Sequence, residues 1–264
     1  MDFSGEEIQR YARHLVLPDV GGPGQQRLKQ ASLLVVGAGG LGVPVLAYGA
    51  AAGIGRIGVV DHDTVSLANL QRQIIYRTDE VGIPKVDRAA AVMAGLNPNV
   101  SVEPIEAMLT ADNADAMIED YDIVADCTDN ADARYVISDA CYRAKRPLVT
   151  AAVMRFDGNV TTLKPHEVSA NGDPNPTYRC LFPNPPEEGA TPICVELGVL
   201  GVLTGLIGCF QATEIIKEIV GIGSSLVGRL LLIDGRDMRI DTIEYRWNPD
   251  NPLTGRRAVA AETV

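Results

Sequence analysis

The stretch LLVVGAGGLGVPVLAYGA, residues 33–50, runs from a short apolar segment through a glycine-rich turn into a helical length. Gly37, Gly39 and Gly42 keep a G-x-G-x-x-G spacing, and Gly40 adds a fourth glycine. Glycines placed after a strand and at the start of a helix permit a tight turn. They also let backbone N–H groups approach a phosphate at the helix N-terminus. A second run rich in Val and Ile, RIGVVD at 56–61, follows the helical length, so the unit is βαβ with parallel strands. Asp61 closes that second strand, where an acid can accept hydrogen bonds from ribose hydroxyls. The turn therefore indicates a nucleotide, but its glycines do not say whether that nucleotide carries hydride or is cut.

Working outward, Ser4 and Glu7 fit a capping box that opens a helix through about Leu15, and the stretch 18–24, dense in Pro and Gly, breaks it. Beyond the first βαβ unit the rhythm repeats. A helix follows Pro84, then SVEPI at 101–105, a helix near 110–119, DIVADC at 122–127, a helix near 131–145 and PLVTAA at 147–152. This is a doubly wound, mostly parallel α/β sheet with an extra N-terminal helix. The texture then changes. FDGNVTTLKP at 156–165 alternates like an antiparallel strand, and 166–193 is a long loop dense in Pro, Gly and Asn. A helix over about 198–220 precedes two further antiparallel strands, GRLLLID at 228–234 and MRIDTIEYRW at 238–247. The expected organisation is one domain over 1–247, with its nucleotide-binding part at about 30–152, and a tail from 248 to 264.

A net charge of −11 over 264 residues makes nucleic acid an unsuitable partner, because phosphate backbones need a basic surface. The N-terminus MDFSGEEIQRYARHLVL carries mixed charge and no apolar signal core. The most apolar segment, 197–210, is shorter than the run of about 18–20 residues that spans a bilayer and reads as a buried helix. The expectation is a cytoplasmic protein without a membrane partner. Cys127, Cys141, Cys180, Cys194 and Cys209 are odd in number and widely spaced, so free thiols are expected rather than a disulfide framework.

A hydride-transfer enzyme would need a proton relay in its second half, and His14, His62 and His166 have no spacing that supplies one. Cations stand behind the glycine turn instead. VDHDTVSLANLQRQ places Asn69 and Arg72 after the second strand, GIPKV places Lys85 at the next helix start, and DCTDN places Asp129 at the end of the fourth strand. All fall at the carboxyl edge of the sheet. Arg72 and Lys85 would neutralise charge on a triphosphate during substitution at phosphorus, and Asp129 would offer Mg2+ the oxygen ligand it prefers.

These motifs, together with GVLGVLTGLIGCFQATEIIK at 198–217, resemble the ubiquitin-activating-enzyme-like adenylyltransferases, the family of MoeB, ThiF and HesA-type proteins, whose fold is Rossmann-like. The resemblance runs from the first helix to about Trp247. It implies an enzyme that binds Mg-ATP and adenylylates the C-terminal Gly-Gly tail of a ubiquitin-fold sulfur carrier, with residues about 153–247 receiving that carrier. It assigns ATP contacts to Gly37, Gly39, Gly40, Gly42, Asp61, Asp63, Ala68, Asn69, Leu70, Gln71, Arg72, Lys85, Asp129 and Asn130, with Asp129 on the metal. It also implies a homodimer in which Arg13 reaches the partner subunit's active site, and a covalent carrier link at Cys194.

The sequence departs from the family at the zinc. Relatives often carry two Cys-x-x-Cys pairs, a strong four-thiolate signature. Here Thr177 precedes Cys180, and Asn251 and Thr254 stand at the second pair, so one thiolate remains and no zinc is expected. No rhodanese extension is expected in the residues after Trp247 either, which implies a separate persulfide donor. Two other readings stay open: a tRNA threonylcarbamoyladenosine dehydratase-like enzyme, and an NAD-dependent oxidoreductase, which the glycine turn alone permits.

Overall fold

A computed structural model describes residues 3–169, 171–185 and 198–256. It is built on one eight-stranded sheet in the order β3-β2-β1-β4-β5-β6-β7-β8. The strands are β1 (Ser32–Val36), β2 (Arg56–Asp61), β3 (Ser101–Glu106), β4 (Ile123–Asp126), β5 (Leu148–Met154), β6 (Asp157–Leu163), β7 (Arg229–Asp234) and β8 (Arg239–Glu244). The first five run parallel, and β6, β7 and β8 extend the same sheet antiparallel.

Helices cover both faces, as continuous apolar strands require. Leu33, Val35, Ile57, Val59, Ile123 and Ala125 join one core with α3 (Gly21–Gln30), α4 (Gly42–Ala52), α5 (Lys85–Leu96) and α9 (Gly201–Val220). Leu34, Val36, Val60 and Val124 point the other way, toward α6 (Ala114–Glu119), α7 (Ala131–Arg143) and α8 (Tyr178–Leu181). The edges match their position: β8 is exposed along its whole length, whereas β4 is buried throughout. Of the apolar segment expected as a buried helix, residues 201–210 form the first half of α9, which is buried on one face only: Leu203, Thr204, Ile207 and Gly208 are buried, whereas Val202 and Leu206 are exposed. Among the described residues no helix is long and apolar enough to cross a membrane.

Three boundaries differ from the sequence reading. The expected first helix is two, α1 (Gly5–Arg10) and α2 (Ala12–Leu15), broken at Tyr11, whose hydroxyl accepts a hydrogen bond from buried Asn97. The expected breaker at 18–24 overlaps a third helix, α3. Its Pro23 falls in the first turn, where no backbone N–H is needed.

The third difference is at the C-terminus, where residues 248–256, expected as a tail, fold back onto α8. Asn251, which is 2% exposed, donates to Thr177 Oγ1 at 2.8 Å and to Cys180 Sγ at 3.0 Å. Its Oδ1 accepts the N–H groups of Leu253 and Thr254 at 2.8 and 3.0 Å, and Trp247 Nε1 donates to Thr254 Oγ1. Thr177, Cys180, Asn251 and Thr254, the four positions to which the resemblance assigned the incomplete zinc signature, thus meet in this chain as a hydrogen-bonded corner, and Cys180 is one of its acceptors. Of the other thiols, Cys127 and Cys141 are buried in the two cores and Cys209 is half-buried.

Candidate active site

Strand order turns back between β1 and β4, the place where open α/β sheets form a ligand crevice outside the carboxyl ends of their strands. A cleft of about 570 Å³ opens there. Its floor is the glycine turn. Gly37 has φ of 99°, in the left-handed region, and a Cβ there would press on the Cys127 carbonyl. A Cβ on Gly42 would overlap the carbonyl oxygen of Gly37, and one on Gly40 would strike the Thr204 hydroxyl. Glycine is therefore required at 37, 40 and 42. The N–H groups of Gly39, Gly40 and Leu41 have no hydrogen-bond partner among the described residues, and α4 starts directly behind them. That is a fit for phosphate oxygens.

Asp61 braces the turn. Its Oδ2 accepts from the Ala38 N–H at 2.7 Å and its Oδ1 from the Asp63 N–H at 2.9 Å. From the other side the Tyr76 hydroxyl donates to the Ala38 carbonyl at 2.8 Å. Burial, with the charges of Asp61 and Glu80, pushes the Tyr76 phenol far up, so it stays a donor.

Asn69, Arg72, Lys85, Asp129 and Asn130 all line the cleft. Asn69 closes a single helical turn (Leu67–Asn69), with its Oδ1 accepting from the Ser66 N–H, and Arg72 Nη1 donates to the Ala68 carbonyl at 3.1 Å. Ala68, Leu70 and Gln71 are not among the lining residues. They carry Arg72: Leu70 packs on the core and Gln71 abuts Gly201. Lys85 is buried at the start of α5, and its Nζ donates to Asp63 Oδ2 at 2.8 Å while its N–H donates to the Asp63 carbonyl. Burial opposes ionisation of Asp63, but the hydrogen bond and charge of Lys85, with His62, hold its carboxyl below the ordinary range. The ligand atoms of Asp61, His62 and Asp63 lie within 4.8 Å of one another, yet both carboxylates are already engaged by Ala38 and Lys85.

Asn130, rather than Asp129, caps α7, accepting from the Asp132 and Ala133 N–H groups at 2.8 and 3.3 Å. Asp129 is thereby left exposed at the cleft, its carboxylate without a partner among the described residues, which suits a hard divalent cation. The loop that carries it is held from beneath. Fully buried Asp126 accepts from Thr128 Oγ1 and from Thr150 Oγ1, each at 2.7 Å, and Arg134 donates to the Thr128 carbonyl at 2.8 Å.

Arg13 is exposed on α2 and does not line the cleft of its own chain, and Cys194 lies outside the described residues. Lining residues that escaped the sequence reading include Gln73, Thr128, Arg134 and Thr204. Arg134 carried a signal, standing one helical turn beyond the cap at Asn130, and Gln73 adjoins Arg72.

A model of the ThiF family matches residues 11–253. The chain belongs to the ThiF family. Among its relatives, the SAMP-activating enzyme E1 of Haloferax volcanii is 45% identical over 98% of this chain and 93% of its own length. The sulfur carrier protein adenylyltransferase of Thermus thermophilus is 46% identical over 100% of this chain and 97% of its own length. The adenylyltransferase and sulfurtransferase MOCS3 of Bos taurus is 45% identical, and this ThiF-family chain spans 56% of it. The fold matches a solved Escherichia coli MccB in complex with MccA-N7isoASN, with a TM-score of 0.81 at 20% identity, covering 97% of this chain and 76% of that one.

Proposed function

We propose that this ThiF-family chain is an ATP-dependent adenylyltransferase acting on the C-terminal glycine of a ubiquitin-fold sulfur carrier that ends in Gly-Gly. The observation that carries this reading is the convergence of Arg72, Lys85 and the Asp129 carboxylate on one cleft with the glycine turn. Such a set serves displacement at phosphorus and would stand idle in hydride transfer. The two near-full-length relatives at 45% and 46% identity support the same chemistry.

The carrier's terminal carboxylate is ionised at neutral pH and needs no general base. One of its oxygens attacks the α-phosphorus of ATP, the bond from that phosphorus to the bridging oxygen breaks, and pyrophosphate leaves as the acyl-adenylate forms. Two anions must be brought together, so positioning and cationic stabilisation supply the acceleration. The glycine turn holds phosphate oxygens through backbone N–H groups, and Arg72 and Lys85 offset the charge moving onto the leaving group. Asp129 would hold Mg2+, which supplies Lewis-acid neutralisation of the triphosphate when bound.

The same reading includes a homodimer with Arg13 reaching the partner's cleft, a carrier-linked Cys194, a separate persulfide donor, and a cytoplasmic setting in which ATP and free thiols are at hand. It includes no zinc, the corner at Asn251 replacing it. The test is carrier-dependent exchange of labelled pyrophosphate into ATP, with and without the carrier's terminal glycine. Asp129→Ala and Arg72→Ala should each lower exchange by about a hundredfold or more. Exchange that survives both substitutions, or that no Gly-Gly carrier supports, overturns the reading.

A further inference from the structure

Gln73 is 2% exposed, lines the cleft, and its Oε1 is buried with no hydrogen-bond partner among the described residues. A buried carboxamide oxygen left unpaired is costly, and functional sites are where such groups survive. The backbone around it is firmly set. The Gln73 N–H donates to Asn69 at 2.9 Å, and its carbonyl accepts from Tyr76, the residue that clamps the glycine turn. The other end of the carboxamide faces that turn, with Nε2 3.6 Å from where a Cβ on Gly39 would stand. Gln73, a residue of the cleft lining, thus has its donor end toward the glycine turn and an acceptor that no described residue meets.

Phosphate oxygens accept hydrogen bonds and donate none, so ATP phosphates cannot satisfy Oε1. Beside the phosphates, the reacting partner that does carry a donor is a peptide: the backbone N–H next to the attacking carboxylate. We infer that Gln73 bridges the two reactants, Nε2 donating to a phosphate oxygen and Oε1 accepting the N–H of the acyl substrate's C-terminal residue. This rests on the adenylylation reading and deepens it. The carboxamide then aligns the carboxylate with phosphorus and selects for a peptide-linked terminus over a simple carboxylic acid.

The test is a chemical cycle. A Gly-Gly sulfur carrier is made by semisynthesis in two forms, one ending in glycine and one ending in glycolate, whose ester oxygen replaces the last N–H. Each is assayed by pyrophosphate exchange on the wild-type enzyme and on Gln73→Met, which keeps the side-chain length and removes the hydrogen bonds. On the wild type the ester should lower kcat/KM for the carrier about tenfold. On Gln73→Met the ester should cause no further loss. Non-additivity of this kind is the signature of a direct contact.

A wild-type enzyme indifferent to the ester overturns the inference while leaving adenylylation standing, and Oε1 then belongs to a water. An ester effect undiminished on Gln73→Met overturns it too. Should Gln73→Met fail to fold, the wild-type comparison alone still decides, because indifference to the ester refutes the contact and a tenfold loss supports it. No exchange with the glycine form on the wild type would instead mark failure of the adenylylation reading.

Discussion

Lys85 does not stand free in the cleft. Asp63 grips it twice, by carboxylate to ammonium and by carbonyl to backbone N–H, so the cation's position is set by a residue that contributes little else. Asp63→Asn should therefore lower kcat for exchange about tenfold while leaving thermal stability nearly unchanged, the side chain being 56% exposed. Steady-state kinetics beside a melting curve check this. The pH sign follows from the depressed carboxyl. Its contribution is fully present above the ordinary Asp value of 3.8 and is lost only as pH falls below it, through the lowered folded value. A pH–rate profile between about 5 and 8 should accordingly show no step from Asp63. Arg72, Lys85 and Asp129 were legible in the sequence because strand ends dictate where they project. Gln73 was not, because nothing in LQRQ says which side chain turns inward and loses its partner.

At the scale of elements, the corner joining residues 248–256 to α8 has a definite energetic role. Asn251 serves two donors with one oxygen and offers its amide to Thr177 and Cys180, all in a buried setting. Asn251→Ala would leave the N–H groups of Leu253 and Thr254 without their acceptor, while Thr177 Oγ1 keeps the Arg179 N–H, at a cost of about 2–4 kcal/mol in chemical denaturation. A chelator should leave the wild-type melting temperature unmoved, and metal analysis should find zinc well below one equivalent. The sequence showed that three of the four thiolates were gone. It could not show what replaced them, because a hydrogen-bonded corner has no spacing signature comparable to paired cysteines. For α3 the difficulty was different. Gly21, Gly22, Pro23 and Gly24 read as breakers, yet burial of Gln25 and Leu28 against the core overrides local propensity.

For the whole molecule, the exposed Arg13 on α2 belongs, on the proposed reading, to a second copy's cleft. Mixing inactive Arg13→Ala with inactive Arg72→Ala should then restore about a quarter of the wild-type exchange. Random reassortment leaves one site in four intact under that arrangement. A monomer by light scattering, or no recovery on mixing, refutes it. The βαβ rhythm made the parallel half legible from end to end. The joining of β6, β7 and β8 to the same sheet was not, since alternation marks a strand without naming its neighbour. That joining has a mechanical consequence. β5 pairs with β4 on one side and β6 on the other, and Thr150 on β5 grips Asp126 on β4. Among the described residues the nucleotide side and the antiparallel side are one continuous plank without a seam, so the sheet itself offers no hinge line. On the proposed reading, the carrier's chain end would therefore come to a floor that is already in place.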